Sequence, residues 1–368
     1  MRVALFFGAL NRGGAESLAY DILRMVGSLP FDVCCLYRKE GDYSAEFHKT
    51  GAQFIKVART GSLFRYLIAL RKAVLANHID IVHAQTPSNA LVCSFALLFT
   101  KVAIITTFHG FPFSSAPRLY RSIVYGRSRR IICVSNYEKS VYEKKWNLPA
   151  QNKLRVVVNG LDFSKLDNPA SDSSSILVKE ENALNMIMVG SFRSVRSQHF
   201  VCKVANALNQ KNIPFNLYFA GARVPSEPNR YDLCVEFCKN NGLSEKVHFL
   251  GGRNDIPSLL KQMDLFIYAS EHDTFGIAVL EAIASGLPVI VSDWAVMKEI
   301  SGNGRFATLY ETDNVEDCLS KIIAFNQKKV TSPELLKEDC SRISKEVRDL
   351  YSIENHIRGL YEVYQSCL

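Results

Sequence analysis

The chain has 368 residues, 48% of them hydrophobic and 22% charged. That balance excludes a disordered or low-complexity polypeptide, and at roughly 100–200 residues per domain it implies two domains. The formal charge of +8 is uneven, with a net +13 over residues 1–165 and −5 over residues 166–368, and charge at that density bears on partners, not on fold.

In chain order, short β-branched runs alternate with amphipathic segments. The first series is Arg2–Phe7, Phe31–Leu36, Ile79–His83, Val102–Phe108, Arg130–Val134 and Leu154–Val158. A polar, Ser-rich stretch follows and is taken as a linker over 166–184. The second series is Met186–Val189, Phe215–Phe219, Val247–Leu250, Leu265–Tyr268 and Val289–Val291. Strands alternating with helices mean βαβ units and parallel sheets. The expected architecture is α/β, two doubly wound Rossmann-like domains over 1–165 and 185–345, facing across a central cleft. A final helix over 346–368 is apolar at Ile357, Leu360, Val363 and Tyr364.

Met1–Gly8 reads as a strand and not as a signal peptide, for it lacks a basic leader and a small-residue cleavage site. The apolar stretch Ala90–Phe108 is interrupted at Lys101 and breaks near Phe99-Thr100, so it divides into a buried helix and a buried strand and does not form a membrane span. Ten scattered cysteines in a chain of this size read as reduced thiols in a cytoplasmic protein. Cys234 and Cys238 have no second pair at metal-ligand spacing, and no metal is expected.

Three segments carry chemistry. After the first strand, Gly13-Gly14-Ala15-Glu16 opens a helix whose amides favour an anion, though the spacing fits neither the dinucleotide fingerprint nor a P-loop. After Met186–Val189, the turn Gly190 to Ser197 places Arg193 and Arg196 three residues apart, and guanidinium groups suit phosphate oxygens. Between Leu265 and Val291, a strand leads through a polar loop into a helix closed by Gly286-Leu287-Pro288. Asp273 stands at or just before the helix start, Glu281 stands two turns on, and the amides of Phe275, Gly276 and Ile277 face the space between them.

The pattern Ser270-x-x-Asp273-x-Phe275-Gly276-x4-Glu281-Ala-x-Ala-Ser-Gly286-x-Pro288-Val-Ile resembles the Glu-x7-Glu signature of the retaining, nucleotide-sugar-dependent glycosyltransferases of family 4, which have the GT-B fold. Gly13–Glu16, Thr107–Gly110, Val134-Ser135, Val158–Asp162 and Gly190–Arg196 fit the same family. The resemblance implies that Glu281 holds the donor ribose and Asp273, in place of the family's Glu, the hydroxyls of the transferred hexose-type sugar. It implies that Arg193 and Arg196, with the Gly13 and Gly14 amides, hold the diphosphate, and that His109 lies near the reacting sugar or acceptor. A UDP-sugar is the expected donor. With no Asp-x-Asp in the chain, arginine takes the place of a metal. The Arg118, Arg121, Arg127, Arg129 and Arg130 cluster, with Lys144, Lys145 and Trp146, is expected to face a lipid-linked glycan acceptor and the anionic inner face of a membrane. No motif supports a nucleic-acid partner. A nucleotide-sugar 2-epimerase of the same fold, or a degenerate sugar-nucleotide-binding protein without activity, are the alternatives.

Overall fold

Apolar runs bounded by turn residues form the strands of two all-parallel sheets, buried on both faces as parallel sheets are. The computed structural model describes residues 1–59, 61–111, 115–149, 151–167 and 183–368. Most of the expected linker, 168–182, lies outside them.

The first unit comprises Met1–Asp162 and Tyr351–Leu368. Its elements are β1 (Arg2–Ala9), α1 (Gly14–Arg24), β2 (Asp32–Lys39), α2 (Ser44–Phe47), β3 (Gln53–Lys56), α3 (Leu63–Ala76), β4 (Ile81–Ala84), α4 (Pro87–Ala96), β5 (Ala103–Phe108), α5 (Arg118–Arg127), β6 (Arg130–Cys133), α6 (Asn136–Trp146) and β7 (Leu154–Val156). The sheet runs β3-β2-β1-β4-β5-β6-β7. Phe6, Leu36 and Ile104 pack under Tyr66, Leu70 and Val74 of α3 and Cys93 of α4. Phe7, Tyr37 and Ile105 pack on the other face, with α1.

The second unit is Phe163–Leu350. Its elements are α7 (Ser164–Asp167), β8 (Leu184–Val189), α8 (Gln198–Gln210), β9 (Phe215–Ala220), α9 (Pro228–Asn240), β10 (Val247–Gly251), α10 (Ile256–Leu260), β11 (Leu265–Tyr268), α11 (Ile277–Ala284), β12 (Val289–Ser292), α12 (Ala295–Ile300), β13 (Thr308–Tyr310), α13 (Val315–Thr331) and α14 (Pro333–Leu350). Its sheet runs β10-β9-β8-β11-β12-β13. In each sheet the strand order reverses once, at β1/β4 and at β8/β11, and ligands of open parallel sheets bind beyond the strand carboxyl ends at such points.

The chain rejoins the first unit at Tyr351, five residues later than the expected 346. The reason is that α14 continues to Leu350, and Arg348 near its end bonds Asp167 Oδ2 at 3.0 Å, which ties residues 346–350 to the second unit. The last helix, α15 (Ile353–Gln365), then buries Ile353, Ile357, Leu360, Val363 and Tyr364 in the first unit's core. That spacing gives one apolar stripe. All ten cysteines are free thiols, eight of them buried.

Candidate functional site

In the second unit, the loops after β8 and β11 meet at the point where the strand order reverses. Gly190 has φ +150°, and a Cβ there would lie 2.8 Å from Arg196 Nε, so only glycine lets the turn fold back over that side chain. Arg196 pairs with Ser270 as an isolated antiparallel bridge. Ser270 Oγ donates to Val195 O at 3.0 Å and accepts from Asp273 N at 3.1 Å. The two loops are therefore laced through backbone and serine.

This lacing assembles a cluster. Arg196 Nε donates to Tyr268 Oη at 2.8 Å, and the Tyr268 hydroxyl donates to Asp273 Oδ2 at 2.6 Å. Arg196 Nη1 donates to Ser191 O at 3.2 Å and Ser191 Oγ at 3.0 Å. Arg196 Nε lies 4.0 Å from Asp273 Oδ2. Burial works against the Arg196 charge, but the Tyr268 hydroxyl and the Asp273 carboxylate outweigh it and leave the pKa raised. Tyr268 is buried, and its pKa is raised first by desolvation and then by Asp273, so the phenol keeps its proton. Among the described residues Arg196 Nη2 and Asp273 Oδ1 make no hydrogen bond. A cationic donor and an anionic acceptor are thus offered side by side, which suits a ligand with phosphate oxygens next to hydroxyls.

Gly276 is the N-cap of α11, with φ +95° and no side-chain cap. The left-handed φ favours glycine here, and a Cβ would in addition press on the side-chain ends of Met297 at 2.9 Å and Ile300 at 3.0 Å. Being a glycine, the N-cap offers α11 no side-chain acceptor of its own, and a helix start of that kind favours an anion. Phe275 is buried beside it, Ile277 opens the helix, and Glu281 sits half-buried one turn along. Glu271, the other carboxylate of this loop, accepts from Ser197 Oγ at 3.0 Å and lies outside the cluster.

The two arginines of the expected pair lie in different surroundings. Arg196 turns inward, whereas Arg193 is exposed and its charge is felt by Glu227. The three-residue spacing crosses a tight turn, closed by Arg196 N to Arg193 O at 3.0 Å, that points them apart. Tyr268 was not among the expected residues. Its signal is a hydroxyl at the carboxyl end of an otherwise apolar buried strand.

In the first unit, Gly13 caps α1, and a Cβ on it would lie 2.5 Å from Glu16 Oε2. The carboxylate of Glu16 therefore lies against Gly13, and burial raises its pKa. His109 follows β5, and Gly110 beside it is anchored by the Tyr142 hydroxyl donating to its carbonyl at 2.6 Å. His109 Nε2 donates to Gln85 Oε1 at 3.2 Å. Desolvation and neighbouring His356 lower its pKa to about 4, so it is neutral at pH 7. Two further buried imidazoles sit behind it. His83 lies between Tyr364 Oη (2.8 Å) and Thr107 Oγ1 (2.6 Å), and His356 Nδ1 donates to Val158 O at 2.6 Å.

The expected acceptor-side cluster is split in its tasks. Arg118, Arg129, Lys144 and Lys145 are exposed. Arg121 stacks over the Trp146 ring at 5.9 Å, and Arg130 Nη1 bonds Arg129 O. Arg127 reaches Leu97 O at 3.4 Å. Trp146 is half-buried and packs against the core formed by Phe108 and Tyr142.

Two family profiles match the chain: Glycosyltransferase Family 4 over residues 12–165 and Glycosyl transferases group 1 over residues 171–348. It is 26% identical over 367 residues to the UDP-Gal:alpha-D-GlcNAc-diphosphoundecaprenol alpha-1,3-galactosyltransferase of Escherichia coli, covering 92% of this chain and 93% of that protein. It is 22% identical to the capsular polysaccharide biosynthesis glycosyltransferase CapH of Staphylococcus aureus, covering 100% and 99%. Anabaena Alr3699/HepE, solved in complex with UDP and glucose, superposes with a TM-score of 0.83 at 16% identity over 100% of both chains. A glycosyltransferase from Rickettsia africae gives 0.82 at 19%, over 100% and 98%. Two parallel-sheet α/β units with these likenesses give the GT-B fold.

Proposed function

This chain belongs to glycosyltransferase family 4, and from that membership we propose that it moves a hexose-type sugar from a UDP-sugar onto a lipid-linked glycan, in surface polysaccharide or glycoconjugate biosynthesis, at the inner face of a membrane. The observation that carries this reading is the Arg196–Tyr268–Asp273 cluster, set where the strand order of the second sheet reverses. Arg196 Nη2 and the first-turn amides of α11 bind the diphosphate, Asp273 Oδ1 a hydroxyl of the transferred sugar, and Glu281 the ribose. The E. coli relative named above, whose name carries a UDP-sugar donor and a diphosphoundecaprenol acceptor, supports the donor and acceptor classes.

The anomeric configuration is retained. The bond from the anomeric carbon to the diphosphate oxygen breaks, the acceptor oxygen bonds the same face of that carbon, and the acceptor's proton passes to the departing diphosphate. The protein's share is electrostatic: a fixed cation and helix-end dipoles stabilise charge developing on the leaving group. His109, held neutral, hydrogen-bonds a hydroxyl and does not act as an acid. Arginine supplies the positive charge, so no metal is used.

A thermal-shift screen of nucleoside diphosphates and their sugars, followed by transfer assays with Arg196→Ala, Asp273→Ala and Glu281→Ala, tests the site. Wild-type turnover and nucleotide binding in all three variants would sink the assignment. NMR of the product's anomeric proton tests retention, and turnover that persists in EDTA tests metal independence.

A further inference from the structure

We propose that the outer face of α3, the turn after α4 and the start of α5 form a docking surface for an anionic lipid bilayer, with Phe64 and Phe99 as its apolar anchors. The inference deepens the membrane part of the proposed function and rests on it.

Helices α3, α4 and α5 pack in series as one layer of the first unit. The inner stripe of α3, Tyr66, Leu70 and Val74, is buried, but the helix carries a second stripe, Phe64, Ile68 and Leu75, that is exposed. A second apolar stripe interleaved with Arg65 and Lys72 is the amphipathic pattern of a helix that lies against an apolar, charged-rimmed surface. Next to it, Phe99 is 98% exposed and Phe64 70%. Phe99 also has φ +59°, a left-handed conformation that a bulky residue rarely adopts. Arginines from both neighbours hold this turn. Arg71 of α3 donates to Ala96 O at 3.3 Å and Leu98 O at 2.5 Å, and Arg127 of α5 to Leu97 O at 3.4 Å. Cations at the carboxyl end of α4 are well placed electrostatically, and the result is a braced turn that holds an aromatic ring out into solvent.

Charge selects the occupant. From residue 47 to residue 137 the chain has 12 Lys and Arg and a single acid, Asp80. Arg65, Lys72, Lys101 and Arg118 are exposed around the apolar residues. Basic groups ringing apolar anchors complement an anionic leaflet, while two copies of so cationic a face repel each other. Among the described residues no helix is long and apolar enough to cross a membrane, so contact through a face is the mode this unit offers.

The test is co-sedimentation of the full chain with phosphatidylcholine vesicles, with and without phosphatidylglycerol. Wild type binds the mixed vesicles, less so as salt rises. Phe64→Ser/Phe99→Asn lowers that binding about tenfold or more. Because Asn tolerates the left-handed conformation, Phe99→Asn keeps or raises the melting temperature while binding falls, an outcome that a purely structural role for Phe99 would reverse. Phe99→Trp retains binding, with emission blue-shifted by the mixed vesicles. Unchanged binding by the double variant overturns the surface and leaves the membrane reading intact. No binding by wild type overturns both. A dimer in solution that the double variant dissolves makes the face a protein interface and overturns the proposal. The nucleotide-induced thermal shift stays at its wild-type value in the double variant, which separates this test from the donor site.

Discussion

Buried arginine is costly unless each desolvated nitrogen finds an acceptor. Arg196 meets that demand largely with neutral groups, Tyr268 Oη and two Ser191 oxygens, and keeps Asp273 one hydroxyl away. The spacer matters because a direct Arg–Asp pair would consume the charges a ligand needs. Tyr268→Phe is expected to let Arg196 and Asp273 close on each other, raising the donor KM about tenfold while kcat changes less, as steady-state kinetics would show. An unchanged KM would mean that Tyr268 only packs. Arg196→Ala, which removes a charge-assisted contact, should weaken nucleotide diphosphate binding roughly 10–100-fold by calorimetry. Asp273 and Arg196 were legible in the sequence, since loop residues after strands are where such folds place ligands. Tyr268 was not, because a strand-terminal Tyr reads as core. The outward turn of Arg193 was equally illegible, being set by the loop's hydrogen bond and not by spacing.

Helix starts and sheet edges decide what the sequence shows about elements. Most strands were recognisable as short apolar runs, whereas edge strands β3 and β13 mix exposed Gln53, Lys56 and Thr308 with their apolar residues and do not stand out beside loops. The stretch Ala90–Phe108 does divide, with α4 ending at Ala96 and a turn through Phe99, but the expectation that its helical half is buried fails at Phe95, Leu98 and Phe99, all exposed. At α11, Gly276→Ala combines a positive φ with contacts below 3.0 Å to Met297. It should cost about 1–3 kcal/mol, seen as a lower urea midpoint at constant m-value. Helix α15 brings its own titratable group into the first unit. His356 is held to about 4, and the pKa of His83 is lowered to about 3, in both cases chiefly by desolvation. The folded pKa of these imidazoles lies below the unfolded 6.5, so the unfolded chain binds more protons between pH 6.5 and about 4, and stability falls as pH drops through that window. Buried Glu138, pushed up to about 8 by desolvation, acts in the opposite sense, but three imidazoles, His109 included, outweigh one carboxyl. The first unit should therefore unfold more easily at pH 5 than at pH 7, and His356→Asn should flatten part of that dependence in pH-resolved denaturation curves.

Over the whole molecule, the charge division of +13 and −5 follows the two units closely, and each unit has its own core and its own perturbant. The basic unit carries the three buried imidazoles and the exposed aromatic face. In the proposed reading the other binds an anionic donor with the half-buried guanidinium of Arg196 and helix-end amides, so its net charge says little about its ligand. Units with separate cores need not unfold in one step. Only a ligand that binds the native state raises stability by mass action, by about 2.7 kcal/mol at a concentration of 100 Kd, which corresponds to about 5–10 °C for a unit of this size. Calorimetric scans with saturating UDP should therefore raise one transition by that amount at both pH 7 and pH 5. Acidification alone should lower the other by about 5 °C or more, given on the order of 2 kcal/mol for each imidazole at pH 5. Arg196→Ala removes the first effect and spares the second, and His356→Asn reduces the second and spares the first. If UDP and acid instead moved a single transition, or if either variant blunted both effects, the donor site and the histidine cluster would not reside in independently stable units.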